Sequence, residues 1–180
     1  MPPAFKVELL AHDPEWHDAA QKEIAVLKAE LAECLVTIHH VGSTAIAGIH
    51  AKPVFDLIPV VHTVEQLDAY QHTLEALGYE WWGEFGLPGR RYCTKEDAVN
   101  GKRLVQLHCY AQGSDEITRH LAFRDYLRAH PIIAQNYDAV KAHCRNLHPD
   151  NSHDYGDCKH EWISKTEAAA LRWYNSHTAQ

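Results

Sequence analysis

The sequence predicts an α+β fold, a small sheet-bearing body followed by a layer of helices. Three observations predict it. Five short β-rich runs all fall before residue 112. The stretches 13–34 and 63–77 repeat their apolar positions at helical spacing. From Ser114 onward only helical periodicity appears. With 180 residues, 46% of them hydrophobic, the chain carries enough apolar surface for a sizeable core. The expected organisation is one domain over 1–180, with an α/β core over 1–112 and C-terminal helices over 113–180.

The elements follow in chain order. Asp13-Pro14 opens the first helix, and Trp16, Ala20, Ile24, Leu27 and Leu31 give it one buried stripe ending near Cys34. Leu35 to Val41 is the first strand and Pro53 to Val61 the second, joined by a short turn that projects from one end of the sheet. Thr63 and Gln66 make a capping box for a helix whose inner face is Leu67, Tyr70, Leu74 and Leu77, stopped by Gly78. Tyr79 to Trp82, Arg91 to Lys95 and Leu104 to Tyr110 read as strands, with Asn100-Gly101 as a tight turn between the last two. Ser114 and Asp115 cap a helix carrying Ile117, Leu121, Phe123 and Leu127. Pro131 starts the next, with Ile133, Tyr137, Val140, Cys144 and Leu147 inward. The polar stretch His148 to Cys158 is expected to be a loop, and a last helix runs over about 159–174.

Composition narrows the function classes. A net charge of −7 gives no support to broad electrostatic binding of nucleic acid, although Arg90-Arg91 and Lys102-Arg103 leave room for a local basic patch. Five cysteines, an odd number with no close pair, read as reduced thiols of a cytoplasmic protein. No stretch approaches the ~20 apolar residues of a membrane span, and the opening MPPAFKVELLAHD lacks the apolar segment of a signal peptide. The expected localisation is therefore cytoplasmic, with no membrane partner.

The chemistry concentrates in HHVGSTAIAGIHAKPVFDLIPVV, residues 39–61. Gly42 lets a backbone approach a ligand closely, and Ser43 offers a hydroxyl to an anion. Asp56 interrupts an otherwise apolar strand, and a charge there is either paired or functional. Lys52 is positioned to neutralise phosphate, or is a solvated residue before a proline. Of Arg90 and Arg91, alternation lets only one enter a given pocket, and Arg91 is the chosen anion clamp. His108 reads as a satisfied core histidine or as a base. Tyr155 and Lys159 are one turn apart if their stretch is helical, which would turn Lys159 toward the phosphate site. A zinc reading of His148, His153, Cys158 and His160 lacks the usual paired spacing. A hydrolase reading, Ser43 with His39, His40 or His108, lacks the G-x-S-x-G arrangement.

At these residues the chain resembles the GrpB family. The matching elements are HVGSTAIAGIHAKPVFDL at 40–57, RRY at 90–92, LHCY at 107–110 and FRDYLRAHP at 123–131, with Tyr137, Lys141, Tyr155 and Lys159 further on. The resemblance covers about residues 5–174. It implies a nucleotidyltransferase-like mixed β-sheet with flanking helices, in which a Gly-Ser turn holds triphosphate and carboxylates spaced one residue apart hold divalent metal. Carried over, the turn is Gly42-Ser43 with Thr44, and the first carboxylate is Asp56, the candidate ligand for Mg²⁺. The second falls on Ile58, and the later strand offers Gln106 and His108 where an acid is expected. The resemblance thus implies a protein that binds a nucleotide or phosphorylated small molecule through Gly42, Ser43, Thr44, Lys52, Arg91, His108 and Lys159. In the active case Asp56 and Ser43 serve Mg²⁺-dependent nucleotidyl or phosphoryl transfer. In the alternative the chain is a non-catalytic binding or accessory module that retains the scaffold. Family members joined to dephospho-coenzyme A kinase imply a link to coenzyme A metabolism.

Overall fold

In a computed structural model, which describes residues 2–178, the five strand-forming runs pair into one mixed sheet of order β1-β2-β5-β4-β3. The strands are β1 (Leu35–Val41), β2 (Phe55–Val61), β3 (Tyr79–Trp81), β4 (Arg90–Glu96) and β5 (Arg103–Ala111). β2 runs parallel to β5, and every other neighbouring pair is antiparallel. The register Val41↔Asp56 places the carboxylate beside the end of β1, where the chain turns at Gly42.

One face of the sheet packs on α1 (Glu15–Glu30), α2 (Val64–Asp68) and α3 (Gln71–Ala76). The expected stripe of α1 is buried, and Asp13 Oδ1 accepts from the Glu15 N–H at 2.9 Å in the first turn. Ala20, Ile24, Leu27 and Leu31 meet Leu57, Val61, Leu107 and Cys109 in one apolar cluster. The helix expected over 63–77 is two. Ala69 and Tyr70 donate to carbonyls three residues back, at 3.3 and 2.8 Å, and this tighter turn breaks the α ladder. Thr63 caps α2 as predicted, accepting from the Gln66 N–H at 3.2 Å.

The other face meets α4 (Asp115–Ala129), with α5 (Pro131–Leu147) and α6 (Ser152–Thr178) behind and beside it. α6 corrects the expected loop at 148–158. Asn151 Oδ1 accepts from the His153 and Asp154 N–H groups at 2.9 and 3.3 Å, so the helix starts at Ser152. Its first turns read as polar because only Ser152 and Tyr155 are buried there. The expectation that all cysteines are free thiols is corrected as well. Cys144 of α5 and Cys158 of α6 form a disulfide, brought together across 14 residues by the antiparallel return of the two helices, while Cys34, Cys93 and Cys109 are buried thiols. Among the described residues no helix is long and apolar enough to cross a membrane.

Candidate functional site

Side-chain alternation along β2 and β5 puts Asp56, Gln106 and His108 on the α4–α6 face of the sheet, opposite the α1 core. There the 3-10 turn Ser43–Ala45 projects from the end of β1, and the middle of α5 and the first turns of α6 close over it. The result is a cleft of about 210 Å³ between Gly42, Ser43, Asp56, Lys52, Lys159 and Tyr137, with Thr44, Gln106, Lys141 and Tyr155 also at its wall.

Gly42 is required by two observations. Its φ is +72°, and a Cβ built on it would lie 2.5 Å from Asp56 Oδ2. The turn therefore passes over the carboxylate at a separation that admits only hydrogen. The other carboxylate oxygen, Oδ1, meets His108 Nε2 at 3.3 Å. Burial pushes the Asp56 carboxyl up, but the His108 bond, the His108 charge and Lys52 outweigh it and hold it below its usual value. An ionised carboxylate can only accept, which assigns the proton to His108 Nε2. His120 stands behind, its ring 5.6 Å from that of His108, and burial keeps it neutral with its pKa pushed down to about 3.

The cationic side of the cleft is built from three lysines on three segments. Lys52 lies over the rings of Phe5 and Tyr155, at 4.8 and 5.5 Å, and Lys159 lies 4.2 Å over Tyr155. Burial presses Lys52 down to about 8, with Lys159 adding repulsion and Asp56 opposing it. Lys159 is pressed to about 8 by burial, again against the pull of Asp56. Lys141 is fully buried at the back, bonded to the His50 carbonyl and 3.3 Å from Asp138. Burial presses its ammonium to about 8 as well, with Asp138 opposing. Tyr137, stacked on Trp162, holds its hydroxyl beside Ser43, and burial pushes that phenol up to about 12.

Of the residues chosen from sequence, Gly42, Ser43, Thr44, Lys52, Asp56 and Lys159 share this cleft, and His108 reaches its floor through Asp56. The Thr44 hydroxyl is taken. It donates to the Val54 carbonyl at 3.4 Å and accepts from His40 Nε2 at 2.9 Å. Arg91 is a correction. It shares its parity with Cys93 and pairs in register with Cys109, so it sits on the α1–α3 face, gripping Asp68 of α2 with bonds of 2.5 and 2.8 Å. Arg90 takes the pocket-side parity but spends its guanidinium on the Phe85 and Glu84 carbonyls. Arg124 and Arg128 donate to the His40 and Ala45 carbonyls, at 3.0 and 2.9 Å, and brace the turn from α4. Sequence reasoning gave no role to Tyr137, Lys141 and Tyr155. Their signal was the family-like spacing, since no local pattern distinguishes them from ordinary helix residues.

Two other chemistries lack partners. Among the described residues no three His, Cys, Asp or Glu side chains converge on a metal-sized space, so the zinc reading of residues 148–160 does not assemble. His40 bonds Thr44 and His108 bonds Asp56, which leaves Ser43 without a histidine base among the described hydrogen bonds.

Known proteins share the fold that carries this cleft. The UPF0157 protein YqkA of Bacillus subtilis (strain 168) is 39% identical over 171 residues, covering 95% of this chain and 49% of the relative. The chain thus spans about half the length of that relative. The crystal structure of conserved protein GrpB from Enterococcus faecalis superposes with a TM-score of 0.86 at 38% identity, over 93% of this chain and 99% of that one. A dephospho-CoA kinase of Mycolicibacterium paratuberculosis is 26% identical over 192 residues, matching 94% of this chain and 47% of the kinase. The Cid1 poly(U) polymerase, in a structure with MgGTP bound, superposes with a TM-score of 0.54 at 17% identity over 77% of this chain and 44% of that one, a likeness of fold alone. The fold is accordingly the nucleotidyltransferase-like mixed sheet with flanking helices. The family described as GrpB protein matches residues 6–169, and the chain belongs to the GrpB family.

Proposed function

We propose that the cleft binds a phosphorylated small molecule of the nucleotide class, with lysines rather than a resident metal offsetting the phosphate charge. The observation that carries this reading is the gathering of Lys52, Lys141 and Lys159 around a serine-bearing turn, each ammonium pressed to about 8. Desolvated, mutually repelling cations regain favourable interactions when an anion lies between them. The Ser43 hydroxyl and the Lys52 and Lys159 ammonium groups donate to its oxygens. Binding then raises the lysine pKa values and takes up protons, so affinity is full below pH 8 and falls as pH rises through it.

The donor set does not fit a resident Mg²⁺. Asp56 is one carboxylate already bonded to His108 and faced by cations. Ile58, where a second acid would stand, is fully buried with Val41, Val60 and Tyr110. Mg²⁺ wants hard oxygen ligands in an octahedron, and imidazole and ammonium groups do not supply them. This supports a binding or accessory module on a nucleotidyltransferase-like scaffold. Metal-dependent nucleotidyl or phosphoryl transfer stays as the second reading because Asp56 keeps its place beside the turn.

The test is thermal unfolding with inorganic triphosphate, ATP and dephospho-coenzyme A, in EDTA and in MgCl₂. At ~100 times Kd a ligand of the folded state raises the melting temperature by about 5–10 °C. The lysine reading expects that rise in EDTA at pH 6.5, and expects it to vanish in the Lys52→Ala/Lys159→Ala pair. It also expects Asp56→Asn to keep or strengthen binding at that pH, because the variant removes the one negative charge facing the ligand. A rise that needs Mg²⁺ and disappears in Asp56→Asn would instead overturn the lysine reading in favour of metal-dependent binding at Asp56.

A further inference from the structure

We propose that a second chamber, adjoining the anion cleft, receives the flat heteroaromatic end of the same ligand, a nucleobase. The inference rests on the phosphate-binding reading and adds the ligand's other half. The chamber encloses about 200 Å³ between Phe5, Phe85, Tyr92, Pro2, Gln106 and Lys52. Lys52 and Gln106 line both spaces, so a molecule held by its phosphates at Lys52 has the aromatic walls on the far side of the same two side chains. Together the two volumes fall within the ~300–1,000 Å³ typical of small-molecule sites.

Three features suit the chamber to a planar ring. Phe85 has φ +46°, alone among the described non-glycine residues in taking a positive value. A left-handed phenylalanine is costly and persists where its surroundings over-determine it. Here Arg90 does so, donating to the Phe85 carbonyl at 2.7 Å while its guanidinium sits 5.8 Å over the Phe85 ring and 5.0 Å over Tyr92. The Phe85 ring stacks on Tyr92 with centroids 5.2 Å apart, yet the residue remains 38% exposed. An aromatic fixed in place and left open to solvent offers stacking surface at little entropic cost. Finally, the Gln106 amide has no hydrogen-bond partner among the described residues, and it stands beside Asp56 in the β2–β5 ladder. An amide presents donor and acceptor together, the pattern that pairs with the N6/N7 edge of adenine.

Calorimetric titration in EDTA at pH 7 with two probes, ATP and inorganic triphosphate, tests the proposal. Base stacking on an aromatic platform is expected to make ATP bind about tenfold more tightly than triphosphate. Phe85→Ala should remove that advantage and leave triphosphate affinity within about twofold, with an unchanged melting temperature as the folding control. Equal affinity of the wild-type protein for both probes, or an equal loss for both in Phe85→Ala, overturns the chamber assignment and leaves the anion cleft standing. Failure of both probes to bind overturns the anion reading and this inference with it.

Discussion

The two faces of the sheet are built from the same strands and do opposite work. On the α1–α3 face, Leu57 and Val61 of β2 and Leu107 and Cys109 of β5 join an unbroken apolar cluster with α1 and α2. On the α4–α6 face the intervening positions are Asp56, Ile58 and Val60, then Gln106, His108 and Tyr110, and the apolar contacts divide into smaller clusters around the cleft. A period of two lets one strand commit alternate residues to stability and to chemistry. The contrast teaches that the charged face is tolerated because the other face supplies a continuous core.

The division of labour between the two faces is tested most sharply at Leu107, which is fully buried in the dry cluster. Leu107→Ala should lose ~2–5 kcal/mol in chemical denaturation while the folded fraction keeps its triphosphate affinity. A binding defect as large as the stability loss would mean that the faces are not separable.

The opposite face is probed by a pair of glycines. Gly42→Ala combines a positive φ with a would-be contact of 2.5 Å to Asp56, whereas Gly48 has φ +81° and open space around its Cβ position. Gly48→Ala should cost only the ~1–2 kcal/mol of left-handed backbone. Gly42→Ala should cost more in the same denaturation experiment and should abolish triphosphate binding, because the turn that carries Ser43 must shift away from the cleft to clear Asp56. Equal costs and retained binding would remove Gly42 from the site.

The last test of the charged face concerns protons. Burial depresses His40 to about 4 and His120 to about 3, so both are neutral when folded and take up protons near pH 6.5 when unfolded. Their contribution to stability is therefore full above pH 6.5 and drains as pH falls toward 4, by ~1.4 kcal/mol per pH unit for each histidine. Urea midpoints measured from pH 7 to 4 should follow that slope, and His120→Phe should flatten it. A flat profile in the wild-type protein would show that neither ring is held neutral.

Much of this was legible in the chain. The five strands, the α1 stripe and the Thr63 cap follow local rules of period and capping, and Gly42, Ser43 and Asp56 are close enough in sequence for one hairpin to bring them together. The features that differ from local expectation share a physical cause. Arg90 and Arg91 differ only in which way a strand residue points, and the sequence does not say which face holds the cleft. The first turns of α6 looked like a loop because most of their residues are polar, and only packing against α5 shows that Tyr155 is an inward position. Cys144 and Cys158 are unremarkable until two helices lie side by side.

What the chain determined by itself is therefore the elements, the α+β order and the serine-bearing turn beside a lone carboxylate, since each depends on contacts within a few dozen residues. What the tertiary structure decided is the character of the site. Lys52 and Lys159 stand more than a hundred positions apart in sequence, and only the folding of α6 back across the sheet sets them against one another. Electrostatic energy depends on distance through space and on burial, and neither is written in the order of the residues.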